Sequence, residues 1–224
     1  MLAVTRPGGA GVRVKFCGLR DVRDVEAAAA AGAAYAGLVL YPPSPRAVTI
    51  EAARALALAA PMGLARVALL VDPDDALLDA VAARLPVDFV QLHGDESPAR
   101  VAEARARTGL PVIRAVGLRD RADLPALAAA EAVADMVLVD AKPPRGAALP
   151  GGNGAAFDWT LLAGRAWRKP WMLAGGLTAA NVAEAVLLTG ARQVDVSSGV
   201  ESAPGRKEAG LIAAFATALR GAAA

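Results

Sequence analysis

Short runs of β-branched and aliphatic residues recur along the chain, each followed by a longer stretch rich in alanine and leucine. The runs fall at 12–17, 35–40, 66–71, 89–92, 112–115, 136–140, 171–174 and 194–197. They are continuously apolar rather than alternating, which predicts strands buried on both faces. The stretches between them read as helices at 21–31, 51–60, 75–84, from Ser97 to Gly109, 123–134, 178–188 and 207–219. Asp21 and its acidic neighbours suit a first turn, Pro98 a first helical position, and Gly32 and Gly109 helix ends. Strand starts recur at roughly 20 to 35 residues, the spacing of βα units. Eight such units predict an α/β fold, a single (β/α)8 TIM barrel spanning residues 12–224.

Two stretches depart from the repeat. Residues 1–11, with Pro7, Gly8, Gly9 and Gly11, read as a flexible N-terminal tail and lack the apolar core of a signal peptide. Residues 141–169 hold Pro143-Pro144-Arg145-Gly146 and Leu149-Pro150-Gly151-Gly152-Asn153-Gly154, too rich in Gly and Pro for a helix. They predict a long loop after the sixth strand, then a short helix near 158–163. Long ordered loops in compact domains are usually functional. The uncharged segment 27–43 is broken by Gly32 and Gly37 and reads as a helix end plus a buried strand, not a membrane span.

Composition narrows the function classes. At 55% hydrophobic the chain is not disordered, and at 4% aromatic its core must be Ala, Val and Leu. With 24 basic and 22 acidic residues the net charge is +2, so charge implies no nucleic-acid partner, and no membrane partner is expected. One cysteine precludes an intrachain disulfide or a Cys-rich zinc site and suits a reducing cytoplasm. A single histidine leaves no His-based dyad or metal cluster.

The candidate chemistry stands at strand ends. Val139-Asp140-Ala141-Lys142 ends the sixth run in a carboxylate, and Lys15-Phe16-Cys17-Gly18 ends the first in a thiol. Asp140 is either functional or a cap or ion pair with Lys142. Cys17 is either a small buried hydrophobe or a reactive thiol, with Lys15 near enough to favour the thiolate. Asp195 ends a similar run and points toward the barrel mouth. Ala174-Gly175-Gly176-Leu177-Thr178 and Val196-Ser197-Ser198-Gly199 follow the seventh and eighth strands, where barrel enzymes commonly hold a phosphate on glycine-lined backbone N–H groups. Arg46, stiffened by Pro42-Pro43-Ser44-Pro45, is either a surface arginine or a contact for a planar carboxylate or phosphate. His93 ends the fourth strand as a polar wall residue or substrate contact.

Taken together, these motifs resemble phosphoribosylanthranilate isomerase of tryptophan biosynthesis. The resemblance also covers Tyr41 to Arg46, Val90 to Glu96, Leu149 to Gly154 and Asp195 to Glu201, and runs from about Val12 to Leu219. Phe16 stands where an aliphatic residue is usual, Pro43 where a basic one is frequent, and Leu19-Arg20-Asp21 varies a familiar turn. The resemblance implies an Amadori rearrangement of N-(5-phosphoribosyl)anthranilate to its aminoketose, with no metal or redox cofactor. It implies Asp140 as general acid and Cys17 as base. It further implies Arg46 on the anthranilate carboxylate, Lys15, His93 and Asp195 along the substrate, and Gly175, Gly176, Ser198 and Gly199 at the phosphate. A cytoplasmic monomer or homodimer acting on a small-molecule substrate is expected. The related aminoaldose isomerase of histidine biosynthesis, which uses paired carboxylates, is the nearest rival, and Cys17 argues against it. A non-catalytic phosphate-binding barrel is the rival from another class.

Overall fold

The computed structural model describes residues 11–142, 151, 152, 154 and 156–222. Residues 1–10 of the expected tail, and most of the loop expected after the sixth strand, lie outside them. Eight parallel strands close into one barrel: β1 (Arg13–Cys17), β2 (Tyr35–Val39), β3 (Ala65–Leu70), β4 (Phe89–Leu92), β5 (Val112–Leu118), β6 (Met136–Ala141), β7 (Trp171–Leu173) and β8 (Gln193–Val196). Each pairs with the next, and β8 returns to β1 with Lys15 beside Asp195. The expected TIM barrel is therefore present.

Closure explains why the strands read as continuously apolar. Successive side chains point to opposite faces of a strand, and here both faces are covered. One parity packs outward against the helices, with Val14, Phe16, Val137 and Val139 in a single large core. The other fills the barrel, with Tyr35, Val67, Ile113, Met136, Leu138 and Met172 in contact. Cys17, Val39 and Leu69 form a separate layer above it. The inward parity also carries Lys15, Gln91 and Asp195, so the polar residues of the strands share the barrel axis with these layers. Phe16 faces outward and meets Phe215 edge-on, ring centroids 6.0 Å apart, so a ring fits where an aliphatic side chain is usual.

Among the described residues, seven α-helices surround the barrel: α1 (Val22–Ala30), α2 (Ile50–Ala59), α3 (Asp75–Arg84), α4 (Pro98–Thr108), α5 (Leu124–Val133), α6 (Val182–Thr189) and α7 (Ala209–Ala222). Asp21, Thr49, Asp74 and Ser97 each accept a hydrogen bond from a backbone N–H of the following turn, the interaction that fixes a helix start. No helix among the described residues is long and apolar enough to cross a membrane.

Three expectations need correction. The short helix expected near 158–163 is present as a 3-10 helix rather than an α-helix, Trp159–Leu162. The helix expected from Thr178 begins at Val182, because Asn181 ties the preceding turn: its Oδ1 accepts from Thr178 N–H at 2.8 Å and its Nδ2 donates to Gly176 O at 3.0 Å. The helix expected from Lys207 begins at Ala209. Lys207 instead ends a two-residue strand, β10 (Arg206–Lys207), paired with β9 (Glu201–Ala203). Burial of its ammonium beside Glu201 outweighs the polarity that made it resemble a helix start.

Candidate active site

The mouth at the C-terminal ends of the strands is an open cleft. Cys17, Arg46, His93, Asp140, Gly175, Gly176, Asp195 and Ser198 all line it. Barrel closure sets their order. β7 and β8 lie between β6 and β1, so the two glycine-bearing loops stand on the arc between Asp140 and Cys17.

On the thiol side, Lys15 is fully buried below the mouth and donates from Nζ to Asp195 Oδ1 at 2.9 Å. Lys15 and Cys17 are two residues apart and share the inward face. Both look onto Gly37, where an added Cβ would stand 2.9 Å from Sγ and 3.1 Å from Nζ. Glycine there makes room for the thiol and the ammonium together. Burial by itself would lower the Lys15 pKa, but the carboxylate of Asp195, helped by Cys17, holds the ammonium well above its usual value. Burial pushes the Cys17 thiol up, and Asp195 adds to that. Lys15 and Lys207 pull the other way without overcoming it. Lys15 thus does favour the thiolate, but in the ligand-free site desolvation outweighs its pull. Removing the Asp195 carboxylate leaves a fully buried ammonium unpaired. Asp195→Asn is expected to cost about 3–5 kcal/mol of stability, seen as a lower denaturant midpoint; an unchanged midpoint would show that the pair is not structural.

On the acid side, Asp140 Oδ1 accepts from Ala141 N–H at 2.8 Å, and Oδ2 lies 3.3 Å from His93 Nε2. Lys142 bonds Asp123 at 2.8 Å instead, so Asp140 does not pair with Lys142 and its partner is His93. His93 Nδ1 in turn lies 3.0 Å from Gln91 Nε2. Backbone at Gly151 covers this pair: a Cβ there would fall 2.7 Å from His93 Nε2 and 3.0 Å from Asp140 Oδ2.

Arg46 is buried, not a surface arginine. Its Nε and Nη2 donate to Glu201 Oε1 and Oε2, both at 2.8 Å, and Nη2 also donates to Gly152 O at 3.3 Å. Such a planar two-point contact fixes the guanidinium plane. Lys207 Nζ donates to the same carboxylate at 2.6 Å and to Ser197 O at 3.0 Å, and Ser197 Oγ donates to Cys17 O at 3.0 Å. Burial pushes the Glu201 carboxyl up, but Arg46 and Lys207 overcome that and hold it below the usual range. Burial lowers the Lys207 ammonium, and Glu201 restores only part of the loss.

Among the glycine loops, Gly175 and Gly176 adopt φ of +89° and +62°, conformations that favour glycine. Gly199 does not line the mouth; its Cα abuts Leu177 O so closely that no Cβ fits, so it joins the two loops. Lys207, Gly37 and Asn181 carry no local signal that singles them out as site residues, and Gln91 has only its place in the motif from Val90 to Glu96. Glu201 lies inside the motif that follows the eighth strand, the one mark that could have pointed to it.

The chain matches the model of the N-(5'phosphoribosyl)anthranilate (PRA) isomerase family over residues 14–218. It is 64% identical to N-(5'-phosphoribosyl)anthranilate isomerase of Cereibacter sphaeroides, across 92% of this chain and 97% of that protein. It superposes on the phosphoribosyl anthranilate isomerase of Thermotoga maritima with a TM-score of 0.81 at 33% identity, covering 94% of this chain and 99% of that one. A phosphoribosyl anthranilate isomerase structure in complex with reduced 1-(o-carboxyphenylamino)-1-deoxyribulose 5-phosphate aligns with a TM-score of 0.78 at 30% identity over 94% and 99% of the two chains. With the match extending across the whole barrel and its mouth, this chain belongs to the N-(5'-phosphoribosyl)anthranilate isomerase family.

Proposed function

We propose that Cys17 and Asp140 are the base and the acid of the family's reaction, the isomerisation of N-(5-phosphoribosyl)anthranilate in tryptophan biosynthesis. The observation that carries this assignment is the placement of one thiol and one carboxyl on the same mouth, with the glycine loops after β7 and β8 between them. A phosphate held by Gly175, Gly176 and Ser198 sets the ribose between acid and base. Gly199 acts behind them by letting the loops pack together.

Asp140 gives its proton to the furanose ring oxygen. The C1′–O bond breaks, and the nitrogen lone pair forms the iminium. Cys17 thiolate then takes the C2′ proton, and the C–H electron pair becomes the C1′=C2′ bond of an enolamine. Tautomerisation yields the aminoketose, with no net oxidation. The iminium also places a positive charge in the mouth, opposing the burial that raises the Cys17 thiol. Arg46, with Glu201 holding its plane, presents its remaining N–H groups to the anthranilate carboxylate. Lys15 and Asp195 form the polar floor, and His93 borders the sugar beside Asp140. A catalytic thiol suits a reducing cytoplasm, as either a monomer or a homodimer.

The direct test is to add the protein to phosphoribosylanthranilate and follow its fluorescence; an undiminished signal would sink the assignment. Arg46→Ala removes a charged contact to the substrate, and hydrogen bonds to charged groups contribute about 1.5–3 kcal/mol. KM should rise about tenfold to a hundredfold with a smaller change in kcat. An unchanged KM would remove Arg46 from the carboxylate site.

A further inference from the structure

Gln91 stands out among the residues that do not touch the mouth. It is fully buried on β4, one inward position below His93. Its Oε1 has no hydrogen-bond partner. A residue retained only to fill space would not leave a buried acceptor unpaired, since that costs stability. What Gln91 does contribute is Nε2, 3.0 Å from His93 Nδ1.

The direction of that bond has consequences. An amide nitrogen only donates, so His93 Nδ1 accepts, and a neutral imidazole then carries its single proton on Nε2. Nε2 faces Asp140 Oδ2 at 3.3 Å, while Ala141 N–H holds Oδ1 at 2.8 Å. Oδ1 thus accepts one hydrogen bond, and the Nε2 edge of the imidazole stands within ion-pair distance of Oδ2. The opposite tautomer would turn the Nε2 lone pair toward the carboxylate oxygen.

We propose that Gln91 is a positioning residue: by donating to His93 Nδ1 it holds the imidazole as the Nε2–H tautomer, which sets the protonated edge of the ring beside the carboxyl of Asp140. The inference rests on the reading of Asp140 as the acid. When Asp140 gives up its proton, negative charge appears on a carboxylate that already accepts from Ala141 N–H and has the protonated edge of the imidazole beside it.

His93 is the only histidine in the chain, so a 15N-histidine-labelled sample reports one imidazole. The spectrum is taken at alkaline pH. In the wild type the proton should sit on Nε2, with Nδ1 bare. Gln91→Met keeps the volume and removes the donor. It should lower kcat about 10- to 100-fold through misplacement of the acid, leave KM unchanged, and leave the thermal midpoint unchanged or higher. Gln91→Glu offers an acceptor instead, so the proton should move to Nδ1 and kcat should fall at least as far.

A wild-type proton on Nδ1 would overturn the proposal, as would full kcat in Gln91→Met. So would a kcat loss in Gln91→Met that tracks a lower thermal midpoint with the tautomer unchanged. If Gln91→Glu does not fold, the wild-type spectrum and the Gln91→Met kinetics still decide. If the wild type fails to consume phosphoribosylanthranilate, the isomerase reading falls, and the spectra alone test the link from Gln91 to His93.

Discussion

Cys17→Ser is expected to lower kcat by about 10²–10⁴-fold, the usual contribution of a positioned acid or base, while leaving substrate binding nearly intact. The substitution is well suited to the question. Serine fits the same inward position above Gly37, and its smaller Oγ creates no clash. What changes is proton affinity, because an alcohol ionises far less readily than a thiol. The wild-type pH profile gives a second signature. Burial raises the Cys17 thiol, so in the free enzyme it is protonated at neutral pH and becomes the reactive thiolate only as pH rises. Wild-type kcat/KM should therefore climb through the alkaline range, and the serine variant should lack that limb. Both follow from fluorescence decay at a series of pH values. Near-full activity of Cys17→Ser would mean that another group takes the C2′ proton.

Asp140→Asn should have an effect of the same size, about 10²–10⁴-fold on kcat, for the complementary reason. The amide keeps the shape and can still accept from Ala141 N–H, but it has no proton to transfer to the ring oxygen. Ring opening then becomes the slow step. Titration calorimetry with a reduced product analogue should give nearly wild-type affinity for this variant. A large loss of binding would assign Asp140 to substrate contact instead, and retained turnover would remove it as the acid. If both single variants are inactive and both still bind, the two residues act on separate proton transfers at one bound substrate.

Cys17 and Asp140 are both legible in the sequence, because each ends an apolar run and therefore sits where a buried strand emerges. The same local logic locates the strands to within a few residues and the helix starts at Asp75 and just after Ser97. Local logic fails where a distant partner changes the meaning of a residue. Lys207 looks like a surface lysine opening a helix until Glu201 and Ser197 are placed around it. Thr178 looks like a helix start until Asn181 bonds the turn it belongs to.

By itself the sequence determined the eight-fold alternation, the barrel it implies, the thiol and carboxylate at two strand ends, and the resemblance that linked them to one reaction. These are properties of neighbouring residues and of the order of motifs along the chain. Tertiary structure decided the pairings. Lys15 meets Asp195 across 180 positions and Arg46 meets Glu201 across 155. Only closure of β8 onto β1 brings the first pair together, and only the turn after β8 brings the second. The same closure buries the thiol beside Lys15 and sets His93 against Asp140. Burial and long-range electrostatics depend on what surrounds a group in space, and no short window of sequence contains that information.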